Sequence, residues 1–131
     1  MQSNNLKTRM VASNFVFLFL FLILSCSKRD DSKNQITIKI TSIDSKTKQH
    51  RINKHDTIVI RKEGVGYLMK TFNKVGEYIT DSTGSATIKI DSTKIYDISV
   101  LGTDVLGGDL YYPGHLKEGQ EVNIEVMPLE N

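Results

Sequence analysis

Two patterns of apolar and polar positions divide the chain. Residues 15–24 are unbroken apolar sequence, preceded by the basic Lys7 and Arg9 and followed by Ser25 and Cys26. A basic start, a short apolar run and a small residue make a secretory signal. The run is shorter than the ~20 residues that a bilayer-spanning helix needs, so removal of residues 1–25 is expected. Residues 27–35 are almost devoid of apolar side chains and read as a polar tether after Cys26. From Ile36 the period becomes two, the signature of strands with one wet face. Ile36, Ile38 and Ile40 alternate with Thr37, Lys39 and Thr41. Ala86, Ile88 and Ile90 alternate with Thr87 and Lys89, and Tyr96, Ile98 and Val100 with Asp97 and Ser99. Val122, Ile124 and Val126 close the series.

Strands are predicted at 36–41, 57–61, 67–72, 77–80, 86–90, 96–100 and 122–126. Turn chemistry separates them: 44–49, Asp81-Ser82-Thr83-Gly84 and Lys117-Glu118-Gly119-Gln120. No stretch holds a helical period. About seven short strands at this spacing predict an all-β fold, a single antiparallel β-sandwich over 36–131. The three-glycine stretch 102–108 is expected to be an irregular loop, a preferred place for function.

Charge changes the picture once the first segment is set aside. All 15 acidic residues follow it, as do all but two of the 17 basic ones, so the remaining chain is near neutral. That removes the basic footprint of a nucleic-acid binder. Cys26 is the only cysteine, so no internal disulfide is available.

Ile23, Leu24, Ser25 and Cys26 resemble the bacterial lipobox, and the resemblance implies a diacylglycerol on the Cys26 sulfur. Ser27, Lys28, Arg29, Asp30 and Asp31 resemble the export signal of surface lipoproteins of the Bacteroidota. That implies an outer-membrane lipid anchor on the cell surface, with a periplasm-facing anchor as the alternative. The isoleucine-rich first strand, the Asp44-Ser45-Lys46-Thr47 turn, the Asp81-to-Gly84 hairpin and the closing strand resemble the carboxypeptidase-regulatory-like, or transthyretin-like, sandwich. Members of that family are mostly accessory modules.

Candidate chemistry is sparse. His50, His55 and His115 lack the spacing of a metal site, and no metal or cofactor is expected. No serine lies in a glycine-flanked elbow. Asp81, Asp91, Asp97, Asp104 and Asp109 read as scattered turn acids rather than calcium ligands. Gly64-Val65-Gly66 reads as a turn between strands. Tyr111 and Tyr112 are the candidate ligand contacts, one of them expected in the core and one outside it. Thr57, Ser82 and Ser92 each follow an aspartate in a pattern that resembles the O-glycosylation site of exported Bacteroidota proteins. The expected function is a non-catalytic binding or assembly module at the cell envelope. Its partners would be the membrane, through lipid on Cys26, and envelope proteins or glycans. The alternatives are a glycan-associated accessory protein and, third, a small hydrolase.

Overall fold

The computed structural model describes residues 31–130. Cys26, Lys28, Arg29 and Asp30 lie outside the described residues. A 3-10 turn over Asp31–Asn34 leads into seven strands: β1 (Gln35–Asp44), β2 (Thr57–Gly64), β3 (Thr71–Ile79), β4 (Ser85–Asp91), β5 (Tyr96–Leu101), β6 (Val105–Tyr111) and β7 (Glu121–Pro128). The all-β expectation holds. The strands form one sheet in the order β3-β2-β5-β6-β7-β1-β4, curled nearly into a barrel.

Two arms make up this sheet. One is β3-β2-β5-β6, the other β7-β1-β4, and they meet through only two residue pairs, Val105↔Pro128 and Leu106↔Met127. The outer strands β3 and β4 share no ladder, so the sheet stays open along that seam. Its pairing is mixed rather than wholly antiparallel. The first and last strands run parallel, from Lys39↔Glu121 to Asp44↔Val126. A parallel pair needs a long crossover, and here the whole rest of the domain supplies it.

Alternation drives the burial. Ile38 and Ile40 of β1, Ile58 and Ile60 of β2, Ile88 and Ile90 of β4, Ile98 and Val100 of β5, and Val122, Ile124 and Val126 of β7 line one shared core. Most of these side chains are β-branched, a shape that packs well on a pleated surface. Their opposite faces carry the threonines, lysines and acids.

Three expectations are revised. Residues 67–72 were expected to be a strand, but 65–70 form the connection between β2 and β3, and the strand opens only at Thr71. The segment expected at 77–80 is therefore the end of β3 rather than a separate strand. The stretch 102–108, expected to be irregular, instead leads into β6 at Val105. Gly107 explains this: an added Cβ would overlap the Glu125 carbonyl oxygen of β7. The glycine is there because two backbones approach closely, which is the one thing a side chain would prevent.

The turns behave as their residues dictate. The Asp44 carboxylate accepts hydrogen bonds from the Lys46 and Thr47 amides, both at 2.9 Å, and these hold its pKa below the ordinary value. Gly84 ends the Asp81 turn at φ +81°, where an L side chain would be strained and its Cβ would press on the Arg51 backbone.

Candidate functional site

The ends of the strands define two ends of the domain. Gln35 pairs with Asp91, and the Asp91 amide donates to the Tyr96 hydroxyl. Tyr96 in turn pairs with Lys62, and the Glu63 amide donates to the Ile95 carbonyl. The start of β1 therefore lies at the same end as the β2–β3 hairpin tip. At the opposite end, Thr57 pairs with Leu101, beside the β5–β6 turn.

The hairpin tip is made of apolar residues that the domain does not cover. Val65 is 106% exposed, Tyr67 100%, Leu68 89% and Met69 79%. β2 and β3 carry the tip outward, because their ladder runs on to Gly64↔Thr71 while the β2–β5 ladder stops at Lys62↔Tyr96. Lys70 closes the tip with an ion pair to Glu63 at 3.0 Å. That hydrogen bond is the first reason the Lys70 pKa is raised, and Tyr112 is near enough to add to it.

Beside the hairpin, the open seam between β3 and β4 forms a cleft of about 300 Å³. Ile60, Ile88 and Ile90 make an apolar wall, while Lys62, Lys89 and Asp91 supply polar groups. β3 is the least buried strand of the sheet. Its register against β2 shifts after Ile60, leaving Val75 without a partner there. Such a bulge in an edge strand blunts it against pairing with other chains.

At the opposite end a charged network is buried. Arg51 is 9% exposed and Asp56 only 1%. Arg51 Nε donates to Asp56 Oδ2 at 2.8 Å, and Ser42 Oγ donates to the same oxygen at 2.7 Å. Arg51 Nη2 reaches Asp56 Oδ1 and Asp104 Oδ1, each at 3.3 Å. The hydrogen bond to Asp56 is the main reason the Arg51 pKa is raised. This network clasps the segment after β1, in which Lys48, Asn53 and His55 all take positive φ. Asparagine and histidine are among the residues that enter that region most readily, whereas lysine is uncommon in it. Nothing in the sequence marked Arg51 or Asp56 for burial, since charged side chains are mostly exposed unless paired.

The residues singled out from sequence are dispersed. Tyr111, at the end of β6, packs against the core, whereas Tyr112 beyond it is exposed with its ring against His115 at 5.6 Å. Burial, with Asp109 adding to it, pushes the Tyr111 phenol up to about 12. His50 and His55 are exposed, and the His55 Nδ1 lies 3.1 Å from the Thr80 carbonyl. Among the described residues no group of three His, Cys, Asp or Glu side chains could hold a metal ion.

Ser82 lies exposed in the turn before β4, at the Arg51 end of the domain. Ser92 Oγ donates to the Asn34 carbonyl at 3.1 Å. Thr57 is half-buried in β2, paired with Ile79 and Leu101 on its two sides. In the Asp81 and Asp91 turns the carboxylate accepts from the hydroxyl and amide of the threonine two residues on, which lowers both acid pKa values. Asp31 opens the 3-10 turn. No protein-family model matches the chain, and no curated protein sequence matches it.

Proposed function

We propose that this chain is a lipoprotein anchored through Cys26, and that its β domain is a non-catalytic binding or assembly module at the cell envelope. The observation that supports the reading best is where the fold starts. Its first turn opens at Asp31, five residues after Cys26. A lipid on that sulfur would hold the domain close to the bilayer, and two or more acyl chains anchor stably where one does not. The acidic pair Asp30 and Asp31 follows Lys28 and Arg29, which favours display on the outer surface. The two arms of the sheet, with their sparse junction, fit the two layers of a transthyretin-like sandwich. The cleft at the open seam, where Lys62, Lys89 and Asp91 stand beside Ile60, Ile88 and Ile90, supports a binding role.

The anchor is tested through one atom. Cys26→Ser replaces the thiol with a poorer nucleophile, so the expected result is unprocessed precursor that takes up no palmitate analogue in growing cells. Label retained on the Cys26→Ser protein would refute the assignment.

A further inference from the structure

We infer that the hairpin tip from Val65 to Lys70 rests in the bilayer interface when the protein is anchored, so that the domain stands on the membrane rather than swinging above it. This rests on the anchor at Cys26 proposed above. Four observations carry it.

The first is exposure. Val65, Tyr67, Leu68 and Met69 lie together on the surface, 79% or more exposed, on a hairpin end that projects past its neighbouring strand. The second is position. The start of β1 lies at this same end, through the contacts that join Gln35, Asp91, Tyr96 and Lys62. The domain's first strand therefore begins at the end where the tip projects. The third is reach. Five residue steps separate Cys26 from Asp31, and at ~3.6 Å per step they span at most about 18 Å. The fourth is charge. Between Gly64 and Thr71 there is no acid, and Lys70, the one charged residue, is paired with Glu63 at 3.0 Å. The tip therefore carries no net negative charge for anionic lipid headgroups to repel. Tyr67 adds an amphipathic ring of the kind that settles at headgroup level. Tyr112 lies near Lys70 on the same end and is itself half-exposed.

The chain contains no tryptophan, so Tyr67→Trp creates a single fluorescent reporter at the tip. Ile52→Trp, exposed at the opposite end, is the control. Each lipidated protein is reconstituted into vesicles of phosphatidylethanolamine and phosphatidylglycerol, with and without bromine on the acyl chains. Flotation reads the anchor separately from the tip. The expected result is that both proteins float, and that Tyr67→Trp shows blue-shifted emission with several-fold more bromine quenching than Ile52→Trp. Adding Leu68→Asp and Met69→Asp to Tyr67→Trp should abolish the shift and the quenching while flotation persists. Floating protein whose Tyr67→Trp reporter is quenched no more than the control overturns the inference and leaves the anchor standing. Protein that does not float overturns the anchor and the inference together.

Discussion

The two ends of this domain handle burial in opposite ways. At the β5–β6 end a guanidinium and a carboxylate, Arg51 and Asp56, are withdrawn from water and bonded to each other. At the β2–β3 end four large apolar side chains stand in water with nothing packed on them. Burying charge is costly unless every group finds a partner. Leaving a large apolar side chain exposed forgoes about 1.5–3 kcal/mol that burial would contribute. One end therefore keeps its buried charges paired, and the other forgoes apolar burial. The first end is tied into the fold, whereas the side chains of the second are left exposed.

The largest expected effect lies at the buried network. Asp56→Ala leaves the buried Arg51 guanidinium with only its 3.3 Å contact to the exposed Asp104 and takes the acceptor from Ser42, so it should cost ~3–5 kcal/mol in urea unfolding. Adding Arg51→Met to Asp56→Ala should recover part of that loss, because the stranded charge is then gone. An Asp56→Ala protein as stable as the wild type would dissolve the contrast between the ends.

A smaller effect is expected at alkaline pH from Tyr111, which lies toward the hairpin-tip end but is packed inward. Burial raises its phenol from 10.0 to about 12, so the folded state keeps a proton that the unfolded chain releases. The resulting stability is complete below pH 10 and is lost as pH rises from 10 towards 12. Thermal unfolding across that window should show the decline in wild type and a shallower one in Tyr111→Phe. Identical profiles would mean that burial of this ring does not hold its proton.

The smallest effect belongs to the tip itself. Leu68→Ser and Met69→Ser should each change unfolding free energy by less than about 0.5 kcal/mol, since neither side chain packs on the domain. A loss above about 1 kcal/mol in either variant would show that the tip serves the fold after all.

How legible each region was follows from the range of the interactions involved. The strands β1, β4, β5 and β7 were readable because alternation is a local pattern, set by which side of a pleat each residue faces. Turns at Asp44 and Asp81 were readable for the same reason: a carboxylate that bonds amides two or three residues on needs no distant partner. The hairpin tip was misread as a strand because Tyr67, Leu68 and Met69 carry strand-like composition, and composition does not say whether a neighbouring strand exists to receive them. β6 was misread as a loop because Gly107 and Gly108 weaken a strand locally, while the need for Gly107 comes from Glu125, far along the chain.

Arg51 and Asp56 show the same division within one motif. Asp56 stands five residues after Arg51 and directly before Thr57, in a stretch where polar residues ordinarily face water. Its burial depends on Ser42 from β1 and on the chain folding back over that strand. The parallel pairing of β1 with β7 is likewise invisible to local pattern, because alternation is the same for either strand direction. Period-two hydrophobicity specifies which face of a strand is dry. Strand order, direction and the company kept by a buried charge depend on segments tens of residues apart, and those meet only when the sheet curls around its core.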